Sequence, residues 1–286
     1  MADPFVPTDV PRESSRTILF QFVVFPLGVV CIAVAIFFLF GKLASDEQSI
    51  PDYLNEIRSG SSHARWQAAY QLSKSIKRGE AKRYPNLQQQ VASLYVGSRS
   101  DDPRIRRYLS MVLGTLGDVR ATPVLIDGLR DADVENRLYA LMALGQLHDP
   151  ASLPGVIAAS QDEDKDVRKA ALFALGEIGD RRAVPALVHA LDDRVTDVRW
   201  NAAIALARLG DARALGPLRE MLDRARLNSI AGMREDQKED TMIVAMTEYV
   251  KLAPAEALPQ LQRIGVSDPS LRVRSVAKQA IEQIKK

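Results

Sequence analysis

The chain has 286 residues, of which 47% are hydrophobic and 26% are charged, the proportions of an ordinary folded protein. Its 38 lysines and arginines nearly balance its 36 aspartates and glutamates, which argues against a protein that holds nucleic acid through a concentrated basic face. The single cysteine, Cys31, excludes a disulfide framework and a cysteine-rich metal site.

The first predicted element is a membrane helix. Residues 1–17 form a polar tail with three prolines, and residues 18–40 then carry no charge at all. At 1.5 Å per residue this run makes a helix of about 34 Å, long enough to cross a hydrocarbon core of about 30 Å. A cleaved signal peptide would have a shorter apolar stretch and a small residue where Lys42 stands. We therefore predict an uncleaved anchor over residues 18–40 and a polar linker over residues 41–50.

The side of the membrane that holds the rest of the chain is only weakly indicated. Arg12 and Arg16 precede the apolar run, while Lys42 and Arg58 follow it, so the positive-inside count ties. Arg12 and Arg16 lie closer together in the sequence than Lys42 and Arg58 do. We slightly favour an inner-membrane protein with its tail in the cytoplasm and its main domain in the periplasm, and the opposite orientation stays open.

The remainder, residues 51–286, repeats itself with a period of 31 residues. Leu116-Gly117-Asp118 returns in the same frame as Leu147-His148-Asp149, Ile178-Gly179-Asp180 and Leu209-Gly210-Asp211. A period of this length predicts a solenoid in which each unit buries its apolar face against its neighbours. The units begin near residues 51, 84, 119, 150, 181, 212 and 253.

Each unit reads as two short helices. Pro123, Pro154 and Pro185 recur near the start of the first helix, and small residues such as Gly145 and Gly176 in the second helix predict close helix packing. The sixth unit is longer because of a polar stretch, residues 223–240. This insertion is either a binding element or a solvated loop.

The second helices carry a family signature. Asp166-Val167-Arg168-Lys169-Ala170-Ala171-Leu172-Phe173-Ala174-Leu175-Gly176 resembles the HEAT repeat of the short bacterial type found in phycobilisome lyase-like proteins, and Asp197-Val198-Arg199 repeats its start. The resemblance implies an all-α fold, a right-handed α-solenoid of about seven helical hairpins, preceded here by the transmembrane helix. It says little about function, because such repeats occur in scaffolds, chromophore lyases, hydroxylases and nucleic-acid enzymes.

Two polar ladders follow the repeat. In related repeats the arginine near the start of the second helix pairs with acidic groups or loop carbonyls of an adjacent unit, so we expect these residues to stabilise the stack. Binding of a ligand by the arginines is the alternative. The ladder residues are Arg106, Arg137, Arg168 and Arg199, together with Asp118, Asp149, Asp180 and Asp211.

An apolar column on the second helices is the candidate partner-binding surface. If it is exposed, it suits an amphipathic helix or an extended peptide; if not, it belongs to the core between helices. Two tryptophans four residues earlier are either binding hot spots or semi-buried packing residues. The candidate residues are Trp66, Tyr70, Met111, Met142, Phe173, Trp200 and Ile204.

No catalytic motif is recognisable. None of His63, His148 and His189 is followed by glutamate, so the His-Glu dipeptides of deoxyhypusine hydroxylase-like proteins are absent. The sequence also lacks a phosphate-binding glycine loop and a Gly-x-Ser-x-Gly elbow. We therefore predict a membrane-anchored scaffold for another protein, such as an envelope complex, with no cofactor, metal or nucleic acid. A bilin lyase-like enzyme or cofactor binder that uses the concave face is the alternative.

Overall fold

The computed structural model describes residues 24–44, 49–77 and 83–285. They fall into two units, with the boundary between Ser49 and Ile50. Across the described residues there are sixteen α-helices.

The first unit contains one described helix, α1 (Phe25–Ala44). It ends four residues beyond the predicted end of the apolar run, so the start of the predicted linker is helical. The predicted tail and residues 18–23 lie outside the described residues. In the part of the chain that the structure describes, no helix meets the length and hydropathy required of a membrane span.

The second unit is an α-solenoid of seven helical hairpins, called repeats 1 to 7. The hairpins of repeats 1 to 5 are α2 (Ile50–Ser59) with α3 (Ser62–Ser75), α4 (Leu87–Gly97) with α5 (Pro103–Leu116), α6 (Thr122–Gly128) with α7 (Val134–Leu147), α8 (Leu153–Ala159) with α9 (Lys165–Ile178), and α10 (Val184–Ala190) with α11 (Thr196–Arg208). Repeat 6 holds α12 (Leu215–Met221), α13 (Arg224–Asn228) and α14 (Glu235–Leu252), and repeat 7 holds α15 (Pro254–Ser267) and α16 (Leu271–Ile284). The predicted number of repeats is confirmed.

The recurring Leu-Gly-Asp frame marks where the second helices end. Gly117, Gly179 and Gly210 have positive φ angles, the left-handed conformation that glycine adopts without steric cost at a helix end. His148 occupies the same position with φ 50°, and it is the one described non-glycine residue with positive φ. The aspartate that follows each of these residues begins the next repeat.

The second helices stack on one another from α3 through α16 and carry most of the contacts between repeats. Small side chains make this possible. A Cβ placed on Gly176 would lie 3.1 Å from the Cα atom of Ala205, and one on Gly145 would lie 3.3 Å from the Cα atom of Ala174. The close packing that the glycines predicted is confirmed. Leucines and alanines of both layers form the core, such as Leu172, which is fully buried.

The insertion differs from the loop that its polar composition suggested. Residues 224–228 form α13, and α14 begins at Glu235. Only residues 229–234 between them lie outside a helix. Asp223 caps α13 by accepting hydrogen bonds from the backbone N–H groups of Ala225 and Arg226.

Candidate functional site

The predicted apolar column lies along one face of the stacked second helices. Met111, Met142 and Phe173, on α5, α7 and α9, are 37%, 48% and 42% exposed. Tyr70 on α3 and Ile204 on α11 are half-buried. The three exposed side chains therefore stand at the surface, one per repeat, rather than between the helices.

The structure extends this column by a residue that sequence reasoning missed. Val244 on α14 is 37% exposed, and it precedes a buried alanine just as Ile204 does. The signal was present in the sequence, since Val244-Ala245-Met246 matches Ile204-Ala205-Leu206 in type. It was hidden because the insertion shifts the sixth repeat out of the 31-residue frame.

Part of the column forms the floor of a groove of about 830 Å³. Four column residues line it: Met142, Phe173, Ile204 and Val244. The insertion supplies Ile230, Ala231, Gly232 and Met233 to the same groove. The insertion is therefore part of this surface, and whether it binds a partner stays a prediction.

The two tryptophans are placed differently. Trp66 on α3 is half-buried, with the guanidinium carbon of Arg104 4.0 Å from its ring centroid and the His63 ring edge-on to it. Trp200 is only 5% exposed and belongs to the core cluster, so it differs from an open hot spot. Ile230 and Met233 of the insertion pack against that cluster, and Trp200 lines the groove together with them.

Acidic side chains border the groove. Asp166, Asp197 and Asp240 line it together with one basic residue, Lys169. The Nζ atom of Lys169 lies 2.7 Å from Asp166 and 3.9 Å from Asp197. The hydrogen bond from Lys169 lowers the pKa of Asp166, and burial opposes this effect only partly. The groove is thus apolar along its floor and acidic at its margin.

The arginine ladder joins neighbouring repeats through aspartates that the sequence had not singled out. Arg137 Nε lies 3.0 Å from Asp162, Arg168 Nε lies 2.8 Å from Asp193, and Arg106 pairs with Asp131. Each acceptor lies in the loop between the helices of the following repeat. Arg168 also donates to the carbonyl oxygen of Asp162 in its own loop, at 2.9 Å. One planar donor therefore ties two successive loops together.

Arg199 departs from this pattern. Its Nη1 donates to the carbonyl oxygen of Asp193 at 2.8 Å, and its Nη2 donates to Thr196 at 2.9 Å, but no ion pair involving it is found among the described residues. The position that an acceptor would occupy, 25 residues later, holds Arg224 instead. Arg224 pairs with Asp268 at 2.7 Å and so links repeat 6 to repeat 7.

The predicted aspartate ladder stabilises the start of repeats locally. Asp118, Asp180 and Asp211 each accept a hydrogen bond from the backbone N–H two residues later and pair with the arginine at that position. Asp149 makes the same backbone contact, and it also accepts a hydrogen bond of 2.6 Å from Thr122 of the preceding repeat. These residues are caps rather than partners of the ladder arginines.

One of these caps predicts a pH dependence. The hydrogen bond from Arg213 lowers the pKa of Asp211 from 3.8 to about 2, against the opposing effect of burial. Because the folded pKa is the lower one, this cap stabilises the fold fully above pH 4 and loses its effect as the pH falls from about 4 to 2. Since Arg213 is half exposed, we expect the Asp211 cap to contribute about 1 kcal/mol to the free energy of unfolding. Urea unfolding of wild type and Asp211→Asn at pH 5 and pH 2 should show the difference between them shrinking at the lower pH. The same shrinkage for the exposed Asp192→Asn would contradict this assignment.

The three histidines lie in different repeats. The His63 ring meets the Trp66 ring edge-on, His148 Nδ1 contacts the Glu177 carbonyl oxygen at 2.6 Å, and His189 lies on α10. Within the described ranges, no group of three histidine, cysteine, aspartate or glutamate residues is arranged to hold a metal ion.

Part of the repeat domain matches a known protein family. Residues 91–161 and 153–232 match the family model described as HEAT repeats. No curated protein sequence matches the chain. The crystal structure of YibA from Escherichia coli is 18% identical with a TM-score of 0.52, covering 86% of this chain and 90% of that one, which shows a common fold.

Two further solved structures have lower TM-scores. The complex of CpcE and CpcF of phycocyanin lyase from Nostoc sp. PCC7120 is 21% identical, with a TM-score of 0.49, and the match covers 82% of this chain and 96% of that chain. An engineered protein is 19% identical, with a TM-score of 0.45, over 82% of this chain and 95% of that chain.

Proposed function

We propose that this HEAT-repeat α-solenoid is a scaffold that binds another protein through the groove on its second helices, and that a helix at its N-terminal end anchors it in a bacterial inner membrane. The observation that carries the proposal is the apolar column from Met111 to Val244, which is exposed except at the half-buried Ile204. Apolar side chains at the surface in unbroken sequence from repeat to repeat lose contact with water when a partner covers them, and such patches mark interaction sites.

The groove is better suited to this role than the other large concavity of the solenoid. That cleft, of about 800 Å³, lies between α12 and α15, and two of the three arginines that line it are engaged within the chain: Arg219 pairs with Glu256, and Arg224 pairs with Asp268. The groove instead presents apolar carbon along its floor. An apolar floor with a polar margin is the usual composition of a protein-binding site.

Photo-crosslinking tests the scaffold. With benzoylphenylalanine in place of Phe173, we expect a discrete protein adduct in intact cells, because this side chain lies within the groove. The matched control is the same substitution at Val266, an apolar side chain on α15 that is 82% exposed and lies outside the groove. The adduct at position 173 should disappear when Met142 and Val244 are changed to serine. Equal adducts from positions 173 and 266 would refute the groove as the binding surface.

The anchor is supported by the character of α1. Its described side chains are uncharged, and Phe25, Leu27, Phe37 and Phe38 are more than 60% exposed. Exposed aromatic and aliphatic side chains around a helix suit a lipid environment. We expect the intact protein to stay in the membrane pellet at alkaline pH, and release into the supernatant would refute the anchor.

The orientation is proposed with the repeats in the periplasm. A reporter enzyme that is active only in the periplasm, fused after Lys286, should then be active. Activity of a cytoplasmic reporter at the same position would place the repeats on the other side. In either orientation the anchor raises the local concentration of the solenoid near membrane partners, so that weak contacts are occupied.

Binding rather than catalysis is part of this proposal. A bilin lyase-like activity is the competing function, and it has a direct test in the visible absorption spectrum of the protein purified from its native host. A stoichiometric bilin band would favour the lyase, while a spectrum with protein absorption alone is what the scaffold predicts.

A further inference from the structure

The charge of the groove differs from the charge of the chain. The chain as a whole carries a formal net charge of +2, yet the charged residues lining the groove are three aspartates and one lysine. From this difference we infer the chemistry of the partner: the groove takes an extended peptide segment that carries apolar and cationic side chains in alternation along its length. This inference rests on the proposed scaffold function and specifies its partner.

Two of the three aspartates at the groove, Asp197 and Asp240, form only exposed ion pairs within the chain. Asp197 is 62% exposed, and its one ion-pair partner in the described structure is Lys169 at 3.9 Å, which lies much closer to Asp166. Asp240 is also 62% exposed and is paired with Arg272, itself more than half exposed. Ion pairs this exposed contribute little, so an incoming cation competes with them at small cost.

Helix capping does not account for the whole acidic margin. Asp166 and Asp197 lie in the first turns of α9 and α11, where the helix dipole favours negative charge. Asp240, however, is the sixth residue of α14, beyond the first turn. The dipole of its own helix therefore does not explain the position of this negative charge at the groove.

The spacing of the repeats favours an extended occupant. Packed helices lie about 8–10 Å apart. Helices α9 and α11 pack directly on one another, since a Cβ on Gly176 would lie 3.1 Å from the Cα atom of Ala205. A polyproline II segment rises about 3.1 Å per residue with three residues per turn, so every third side chain faces the same way about 9.3 Å further on. An apolar residue at every third position then meets Phe173, Ile204 and Val244 in turn. The residues between them are free to reach the aspartates.

Two matched peptides test the inference. Fluorescent (Leu-Pro-Lys)4 and (Leu-Pro-Glu)4 have the same length, proline spacing and apolar content, and differ in charge. We expect the lysine peptide to bind the intact protein in nonionic detergent at least about tenfold more tightly by fluorescence anisotropy. The Asp197→Asn, Asp240→Asn double variant should weaken its binding about three- to tenfold. Phe173→Ser should weaken it as well.

The control removes the same amount of charge elsewhere. Glu220→Gln with Glu282→Gln neutralises two exposed acids outside the groove and should leave the affinity unchanged. Equal binding of the two peptides, or an unchanged affinity in the aspartate double variant, would overturn the inference. If the lysine peptide fails to bind while the crosslink at Phe173 still depends on Met142 and Val244, the partner chemistry is wrong and the scaffold stands. Loss of that dependence refutes the scaffold itself.

Discussion

Replacing Arg168 by alanine should lower the free energy of unfolding by about 3–5 kcal/mol, the cost of breaking a buried ion pair by removing one partner. The Arg168 side chain is 8% exposed and Asp193 is 15% exposed. Burial alone would raise the pKa of Asp193, but the hydrogen bonds from Arg168 and from the Val195 backbone N–H keep that pKa lowered. Without the guanidinium, the carboxylate loses its counter-charge, and two loop carbonyl oxygens lose a donor.

The repeat supplies its own controls for this experiment. Arg199→Ala removes the equivalent residue of the next repeat and leaves no carboxylate unpaired, so we expect a cost of about 1–2 kcal/mol from two lost hydrogen bonds. Arg182→Ala removes a mostly exposed partner of Asp180 and should cost the least of the three. Thermal and urea unfolding of the three variants measure the order of their losses in free energy of unfolding. An equal effect of Arg168→Ala and Arg199→Ala would show that the ion pair with Asp193 contributes nothing.

The contrast between Arg168 and Arg199 shows which features of the fold the sequence predicts and which it does not. The frame containing Arg168 and Gly176 was sufficient to predict the solenoid and seven hairpins, because each repeated residue ends a helix, allows close approach or ties loops together in its own repeat. The acceptor Asp193 was not predicted. Its pairing joins a helix of one repeat to the loop of the next repeat, and such distances do not follow from periodicity alone.

The candidate groove, too, could be predicted only in part. The apolar column could be predicted because its members recur at one helical position, and whether it faced solvent could not, because both answers fit the same spacing. Trp200 illustrates the difficulty. It shares a repeat position with the half-buried Trp66, yet it is almost fully buried. The polar composition of residues 223–240 gave no sign that Ile230 and Met233 would pack against the core cluster to which Trp200 belongs.

Gly128→Ala should also be strongly destabilising, because the added Cβ atom meets the side chain of Tyr95. A Cβ at this position would overlap the hydroxyl oxygen of Tyr95 and lie 3.2 Å from its Cζ atom. Tyr95 is fully buried, and the guanidinium carbon of Arg106 lies 4.4 Å from its ring centroid, so the ring has no free space to move into. Overpacking of this kind costs about 1–3 kcal/mol.

A double variant separates this overlap from other effects of alanine. Tyr95→Phe removes the hydroxyl group that the new methyl group would meet, so Gly128→Ala should cost much less in the Tyr95→Phe background than in the wild type. Gly216→Ala, at an exposed helical position where the Cβ meets no atom within 4 Å, should be neutral or slightly stabilising because it restricts the unfolded chain. Thermal unfolding monitored by circular dichroism measures all four variants. An unchanged cost of Gly128→Ala in the absence of the hydroxyl would show that the destabilisation comes from the backbone of α6 and not from its contact with α4.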